Sequence, residues 1–160
     1  MNNKIKTISE IEEVCKKLRG EGKVIVTTNG SFDILHSAHV NLLEKAKKEG
    51  DVLIVLLNSD NSIRRNKGEK RPVIPEGERA KMLAGLESVD FVVIFDEDKP
   101  ISVWEKIRQH KNVRGGSYIP ERMQEEKNLM SSWGGEYVNF ELEPGISTTE
   151  IINKIIESYG

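Results

Sequence analysis

Two histidines, His36 and His39, stand three residues apart where a helical pattern begins, so both imidazoles can face one site. The unpaired N–H groups and dipole of a helix N-terminus favour anions, and imidazole donors add hydrogen bonds to phosphoryl oxygens. Gly30 permits close backbone approach, and Asp33 stands where it can orient a ligand or a histidine. Histidine pairs at this spacing also occur without function, but the Asn-Gly-Ser-Phe-Asp run before this pair favours a phosphate cradle.

Two further polar segments supply candidates for binding phosphate. Ser147, Thr148 and Thr149 begin the last helical pattern, where their hydroxyl and N–H groups can cap the helix and face an anion. Residues 61–75 contain almost no apolar side chains and are predicted to form a basic loop. Its cations are either ligand contacts or solvated charges, and they are Arg64, Arg65, Lys67, Lys70 and Arg71.

The elements that must position these groups alternate between strands and helices. The N-terminal helix is predicted to start with a capping box of Ser9 and Glu12. The alternation predicts an α/β fold, a Rossmann-like doubly wound and mainly parallel five-stranded sheet with helices on both faces. Strand patterns fall at 24–26, 51–57, 91–95, 112–114 and 136–140, and helical patterns at 9–20, from about 39, 75–88, 101–110 and 147–156.

Ligands of such sheets bind beyond the carboxyl ends of the strands, where the strand order reverses. Residues 29–39 follow the first strand and residues 58–71 follow the second, so both candidate segments should meet at that edge. Lys111 and Asn112 put polar side chains into the fourth strand, which indicates an exposed or edge position for it.

Length and composition limit the classes of function. With 160 residues, of which 37% are hydrophobic, the chain is expected to form a single domain, residues 1–160. A net charge of -2 gives no overall positive field for a nucleic-acid backbone. No run approaches the roughly 18 apolar residues of a membrane-spanning helix. The lone Cys15 and the polar N-terminus indicate a cytoplasmic protein. From the net charge and the short apolar runs we expect no nucleic-acid partner and no membrane partner.

Residues 27–40, Thr-Thr-Asn-Gly-Ser-Phe-Asp-Ile-Leu-His-Ser-Ala-His-Val, resemble the HxGH signature of the cytidylyltransferase-like nucleotidyltransferase superfamily. Over nearly its whole length the chain is most similar to the D-glycero-D-manno-heptose 1-phosphate adenylyltransferase domain of the bifunctional heptose kinase/adenylyltransferase family. The signature alone specifies only a superfamily, whereas its combination with further matching segments is far more specific. Those segments are residues 58–60, 67–68, 71–73, 79, 89–90, 115–118, 134–136 and 145–149.

The resemblance implies a nucleotidyltransferase that joins ATP to D-glycero-D-manno-heptose 1-phosphate and releases pyrophosphate. It also implies Mg²⁺ carried with the nucleoside triphosphate, no dedicated metal ligand, a homodimer, and a kinase on a separate chain. The acceptor phosphate is already a nucleophile at neutral pH, so no general base is assigned. Positioning and charge stabilisation are expected to suffice.

Matching positions assign a role to each site residue. The implied catalytic residues are His36, His39 and Lys67. The implied contacts to the second substrate are Asp60, Arg71 and Ser117. The implied nucleotide- and phosphate-binding residues are Asn29, Gly30, Ser31, Phe32, Asp33, Arg79, Arg114, Gly115, Gly116, Ser147, Thr148 and Thr149.

Departures from the family pattern leave two alternatives open. Ala38 replaces the glycine between the histidines, Arg114 replaces a lysine and Ser117 replaces an acidic residue. One alternative is a cytidylyltransferase acting on glycerol 3-phosphate or another small polyol or amino-alcohol phosphate. The Arg-Thr that glycerol 3-phosphate enzymes carry before Glu-Gly-Ile-Ser-Thr-Thr is missing here, which counts against it. The other is a catalytically silent nucleotide-binding module, for which Ala38 is the warrant. The presence of both histidines, of Lys67 and of the Ser-Thr-Thr cap counts against it.

Overall fold

A five-stranded sheet forms the centre of the fold in a computed structural model, which describes residues 2–116, 120–141 and 145–160. Its strands are β1 (Ile25–Gly30), β2 (Val52–Asn58), β3 (Phe91–Phe95), β4 (Lys111–Gly115) and β5 (Glu136–Phe140). They lie in the order β3-β2-β1-β4-β5, and every neighbouring pair is parallel. The strand order reverses between β1 and β4, which is where such sheets bind ligands. The predicted parallel α/β fold is confirmed.

Among the described residues, seven α-helices surround the sheet: α1 (Ile8–Gly20), α2 (Ser37–Lys47), α3 (Asp60–Lys67), α4 (Glu76–Ala84), α5 (Ile101–Ile107), α6 (Pro120–Ser131) and α7 (Thr148–Tyr159). One core packs α1 and α5 on one face of the sheet through Ile11 and Trp104. A second core packs α2 and α4 on the other face through Leu43 and Leu83. None of these helices has both the length and the apolar composition that crossing a membrane requires.

The first part of residues 61–75 is helical, so the prediction of a basic loop there is wrong. The hydroxyl of Ser59 caps α3 by accepting a hydrogen bond from Ser62 N at 3.1 Å. Ile63 is buried, and it is the one apolar side chain that α3 contributes. One apolar residue in two turns gives too little periodicity for the helix to be visible in the sequence.

The capping box at the start of α1 lies two residues earlier than predicted. Glu10 N donates to Thr7 Oγ1 at 3.2 Å, and Thr7 N donates to Glu10 Oε1 at 3.0 Å. The pair Ser9 and Glu12 has the same spacing and chemistry, so the sequence offered two equivalent starting points.

Other helix bounds also differ from the predictions. The helix α4 ends at Ala84 rather than at residue 88, and α5 ends at Ile107 rather than at residue 110. The helix α5 stops where Arg108 takes a left-handed conformation with φ of 51°. The helix α2 begins at Ser37 rather than near His39. Residues 120–131 had no predicted structure and form α6.

The strand β4 is neither exposed nor at an edge, which corrects the expectation from its polar residues. It pairs with β1 on one side and β5 on the other. Asn112 is 1% exposed, and Lys111 forms an ion pair with Glu49 at 3.5 Å. A polar side chain is tolerated in an interior when its hydrogen bonds are made.

Gly50 lies in the turn between α2 and β2, and a substitution there tests how closely the turn packs against β1 and the residue before it. A Cβ atom at Gly50 would lie 2.6 Å from Val26 Cγ2 and 2.9 Å from the carbonyl oxygen of Val24. Because backbone atoms cannot yield cheaply, we expect Gly50→Ala to lower the free energy of unfolding by about 1–3 kcal/mol. Urea denaturation measures the change.

The matched control is Gly20→Ala, since a Cβ atom at Gly20 would meet nothing within 4 Å. Gly20 ends α1, where alanine favours the helix, so the control should leave the free energy of unfolding unchanged or raise it by up to about 1 kcal/mol. Equal losses in the two variants would contradict the assigned contact.

Candidate active site

A cleft at the carboxyl ends of β1 and β4 contains most of the predicted site residues. Two cavities of about 390 and 380 Å³ form the cleft and share His39, Leu42 and Gly115. The first, called the α7 lobe, is also lined by His36, Ala38, Lys45, Glu141, Gly145, Ile146, Ser147, Thr148 and Glu150. The second, called the Lys67 lobe, is also lined by Thr28, Asn29, Gly30, Ser31, Phe32, Asn58, Lys67, Val113 and Arg114.

The imidazoles of His36 and His39 stack at the start of α2, with ring centroids 3.8 Å apart and planes inclined by 22°. His36 is the extended residue before the helix, and its backbone N–H donates to His39 Nδ1 at 3.3 Å. Because Nδ1 of His39 accepts, the neutral ring carries its proton on Nε2. His39 therefore has one N–H donor left for a ligand.

The surroundings of both histidines favour their neutral forms. Loss of water lowers the pKa of His36. Burial, together with the charges of His36 and Lys67, lowers the pKa of His39 to about 4. Two protonated rings at this distance would repel each other, whereas an anion in the cleft would favour protonation. The pair is therefore arranged to gain charge together with a bound anion.

Phe32 shapes the loop between β1 and the histidines. Its φ of 44° lies in the left-handed region, which is uncommon for a bulky residue. Its buried ring lies 5.2 Å from the ring centroid of His39. A Cβ atom at Gly30 would meet Phe32 Cε2 at 3.1 Å. The glycine thus leaves room for the aromatic ring on which His39 packs.

The start of α7 forms a wall of the α7 lobe. Ser147 is the N-cap, and its Oγ accepts a hydrogen bond from the third residue of the helix at 3.1 Å. The N–H groups of Thr148 and Thr149 have no partner within the helix, because a helix start leaves them free. The helix dipole makes this position favourable for an anion. The hydroxyl of Thr148 also donates to Ile34 O at 3.5 Å, which ties α7 to the loop before α2.

Positive charge and neutral donors are concentrated in the Lys67 lobe. Lys67 Nζ donates to Ser31 Oγ at 3.2 Å. The pKa of Lys67 is lowered, first by loss of water and then by the nearby charge of Arg71. Arg114 enters the lobe from β4 and Asn29 from β1. Two cations beside amide and hydroxyl groups suit a phosphorylated ligand.

Arg79 lies behind the cleft rather than in its wall, and it is 2% exposed. Its Nη1 donates to Ser31 O at 2.8 Å and to Asn58 O at 2.9 Å. Its Nε donates to Ile74 O at 2.8 Å, and its Nη2 pairs with Asp60 Oδ1 at 2.7 Å. Through these bonds Arg79 and Asp60 fix the positions of the loops that follow β1 and β2 and of the loop that precedes α4. They therefore act as structural contacts rather than as ligand contacts.

The carboxylate of Asp33 also bonds to groups of the protein itself, although Asp33 was predicted as a phosphate-binding residue. Its carboxylate accepts hydrogen bonds from Val73 N at 2.9 Å and Ile74 N at 2.8 Å. Arg71 Nη1 lies 3.5 Å from the same carboxylate, and Arg71 Nη2 donates to Thr149 Oγ1 at 3.4 Å. Arg71 thus links the loop of Asp33 to the first turn of α7.

Some predicted site residues stand outside the two lobes. Arg71, Gly116 and Thr149 line neither cavity. Arg79, Asp60 and Asp33 do not line either cavity. Gly116 has a φ of 104°, which favours glycine there. The prediction for Ser117 falls outside the described residues.

Several lining residues had no predicted role. Leu42 lies one turn after His39 on α2, so helical spacing could have placed it at the site. Asn58 ends β2, and position at a strand end is the signal that could have found it. Lys45 Nζ lies 5.8 Å from the ring centroid of Phe140, a contact that no sequence pattern indicates. The others are Thr28, Ala38, Val113, Glu141, Gly145, Ile146 and Glu150.

A family model described as cytidylyltransferase-like matches residues 27–154. The matched range runs from β1 into α7 and includes every residue that lines the two lobes. The match therefore covers the whole cleft.

Two curated relatives, each named bifunctional protein HldE, align along almost the whole chain. The relative from Geobacter metallireducens is 48% identical over 157 residues, which are 98% of this chain and 32% of the relative. The relative from Aliarcobacter butzleri is 45% identical in an alignment that covers 98% of this chain and 32% of the relative. The chain thus spans about a third of the length of these relatives.

Two solved structures share the fold. The lipopolysaccharide core biosynthesis protein from Thermoplasma volcanium GSS1 has a TM-score of 0.64 and 25% identity, over 78% of this chain and 100% of that chain. Pantoate-beta-alanine ligase from Francisella tularensis, complexed with beta-gamma ATP and beta-alanine, has a TM-score of 0.62 and 17% identity. The match covers 96% of this chain and 77% of that chain. At 17% identity the second likeness shows the fold alone.

The homodimer and the cytoplasmic location stay predictions.

The histidine pair generates a prediction about protonation. In an NMR titration of the free protein, His39 should titrate near pH 4, because burial and neighbouring charge disfavour its protonated form. Sulfate, as a probe that keeps its charge over this range, should raise the midpoint by stabilising the imidazolium. His110 bonds to Ile25 N at the opposite end of the sheet, so its signals should not respond to sulfate. A His39 midpoint at about pH 6.5 without sulfate would contradict the burial of its imidazole. A midpoint that sulfate does not raise would contradict anion binding beside this ring.

Proposed function

The chain is a nucleotidyltransferase of the cytidylyltransferase-like family, and we propose that it joins ATP to a sugar phosphate with release of pyrophosphate. The observation that carries this proposal is the position of His39, which lines both lobes. A group there can contact the α-phosphate of a nucleotide in one lobe while the acceptor phosphate approaches from the other. Direct transfer between two bound substrates depends on such mutual positioning.

The proposal puts the nucleoside triphosphate in the α7 lobe. The first turn of α7 would bind the β- and γ-phosphates through free N–H groups and the helix dipole. Ala38, Leu42 and Ile146 give this lobe apolar surface for the base and ribose, and Gly115 allows close backbone approach. The methyl group of Ala38 narrows the lobe slightly where family members carry glycine.

The acceptor phosphate would bind in the Lys67 lobe. Lys67 and Arg114 supply two positive charges, and the side chains of Asn29 and Ser31 supply neutral polar groups. Hydrogen bonds between a cation and a phosphate are shorter and stronger than neutral ones. Thr28 and Asn58 line the same lobe and offer partners for sugar hydroxyl groups.

The proposed chemistry is a single in-line displacement. An oxygen of the acceptor phosphate forms a bond to the α-phosphorus. The bond from that phosphorus to the oxygen bridging to the β-phosphate breaks, and pyrophosphate leaves with the electron pair. The stacked imidazoles of His36 and His39 would stabilise the negative charge that develops on the α-phosphate oxygens. The acceptor phosphate is already anionic at neutral pH, so no side chain has to remove a proton.

Mg²⁺ would enter with the triphosphate. Magnesium is commonly held by phosphate oxygens and water, with few protein carboxylates, and it would neutralise charge on the leaving pyrophosphate. In the described ranges, no group of three or more His, Cys, Asp or Glu side chains could hold a metal ion. Two carboxylates, those of Glu141 and Glu150, line the α7 lobe, and so small a number fits a metal held chiefly by phosphate oxygens and water.

For the two substrates we propose ATP and D-glycero-D-manno-heptose 1-phosphate. The support is the resemblance of the chain to heptose 1-phosphate adenylyltransferase domains. The likeness to the two HldE proteins along 98% of the chain agrees with it. So does the likeness to a protein described as acting in lipopolysaccharide core biosynthesis.

We predict pyrophosphate release when the protein, Mg²⁺, ATP and a heptose 1-phosphate are combined, because the two lobes would then be filled together. The measurement crosses the four ribonucleoside triphosphates with heptose 1-phosphates, glycerol 3-phosphate and other sugar phosphates. Turnover with CTP and a polyol phosphate would keep the proposed chemistry and overturn the substrates. Nucleotide binding without turnover in any combination would contradict the enzyme and favour a binding module.

A matched pair of lysine variants tests the Lys67 lobe. We expect Lys67→Gln to lower kcat/KM for the acceptor by roughly ten- to a hundredfold, since a hydrogen bond to a charged group contributes about 1.5–3 kcal/mol. Lys70→Gln makes the same change three residues away, at an exposed side chain that lines neither lobe. That control should stay within about twofold of the wild type. Equal losses would contradict the place of Lys67 in the lobe.

A further inference from the structure

Asn112 is a buried polar residue in β4, directly beside the cleft strand β1. It is 1% exposed, and its Nδ2 donates to two side chains of β1, Thr27 Oγ1 at 2.8 Å and Asn29 Oδ1 at 3.2 Å. A buried amide costs free energy unless it is hydrogen-bonded, so these two bonds account for its toleration in the sheet. Only one of the two partners, Asn29, lines the Lys67 lobe.

The bond to Asn112 decides which end of the Asn29 amide is available to a ligand. An asparagine side chain accepts through Oδ1 and donates through Nδ2. Because Oδ1 of Asn29 is engaged by Asn112, its Nδ2 donor is the end left for the lobe that Lys67 and Arg114 also line. The reverse orientation would aim a carbonyl oxygen at an anion, which is repulsive.

We propose that Asn112 is a positioning residue that holds the Asn29 amide so that its NH₂ group donates to a phosphate bound in the Lys67 lobe. Asn112 lines neither lobe and would act only through Asn29. A hydrophobic residue in its place would leave the Asn29 amide free to rotate, so that part of the binding free energy would be spent on orienting it. The identity of the phosphate as that of the acceptor substrate rests on the proposed function, whereas the contact itself does not.

The test compares Asn112→Val with Thr27→Val in purified protein, using inorganic phosphate as the probe. Asn112→Val removes the bonds to both Thr27 and Asn29. Thr27→Val removes one hydrogen bond of the same buried network but leaves the bond to Asn29 in place. Both variants should lose thermal stability. Only Asn112→Val should raise the Kd for phosphate, by roughly three- to tenfold, because a typical net hydrogen-bond contribution is about 0.5–1.5 kcal/mol.

A double-mutant cycle with Asn29→Ala separates action through Asn29 from a general loosening of the sheet. In the Asn29→Ala background, Asn112→Val should change the Kd for phosphate by less than about twofold, since the two effects are coupled. Equal effects of Asn112→Val in the two backgrounds would overturn the proposal. So would equal effects of Asn112→Val and Thr27→Val on phosphate binding.

A measurement on the wild-type protein keeps the proposal testable if Asn112→Val does not fold. The side-chain NH₂ signals of Asn29, assigned with Asn29→Ala, should shift when phosphate is added. Signals that do not move at saturating phosphate, or a wild-type protein that binds no phosphate, would overturn the proposal.

The kinetic readout distinguishes this proposal from the proposed function. Where turnover is found, Asn112→Val should raise KM for the acceptor and leave KM for the triphosphate within about twofold. Phosphate binding with the expected coupling but no turnover with any substrate pair would overturn the proposed function and support the role of Asn112. Turnover without that coupling would overturn the role of Asn112 alone.

Discussion

The buried guanidinium of Arg79 is the interaction on which the geometry of the cleft depends. It bonds to the backbone of the loop after β1, to the end of β2 and to the loop before α4, and it pairs with Asp60. Burying a charge costs several kcal/mol unless it is paired and hydrogen-bonded, and Arg79 has a carboxylate and three carbonyl oxygens as partners. Asp33 continues the same network toward the loop of Ile74. The segments that carry Ser31 and Lys67 are thereby held against each other without a ligand.

On this framework the cleft combines positive charge with groups whose charge depends on the ligand. Lys67 and Arg114 line one lobe, while the helix start of α7 adds partial positive charge to the other. Between them, loss of water lowers the pKa of His36, and burial together with the charges of His36 and Lys67 lowers the pKa of His39. Glu141 and Glu150 also line the α7 lobe, so the negative charge of a triphosphate would be placed between the histidine pair and the first turn of α7. The site is therefore suited to stabilise charge that arrives with a substrate and shifts during transfer.

The parts of the fold and site that could be predicted from the sequence are those set by local patterns. The apolar run of β2, the helical spacing after His39 and the match around the two histidines each involve neighbouring residues, and together they indicated the sheet and the cleft. Features that depend on distant partners were missed. The polarity of Asn112 suggested an edge strand, whereas its hydrogen bonds to Thr27 and Asn29 allow it to be buried in the sheet. These partners stand more than 80 residues earlier in the chain, so the local sequence pattern did not reveal them. The sequence likewise suggested that Arg79 contacts a ligand, because its carbonyl partners lie in other segments of the chain.

A crystal structure with Mg²⁺ and an ATP analogue that cannot release pyrophosphate would show directly which lobe binds the nucleotide. We expect the triphosphate to lie between the histidine pair and the start of α7, with the base against the apolar wall of the α7 lobe. The Lys67 lobe should remain open for the acceptor. A nucleotide bound in the Lys67 lobe, or outside the cleft, would contradict the assignment of the two lobes.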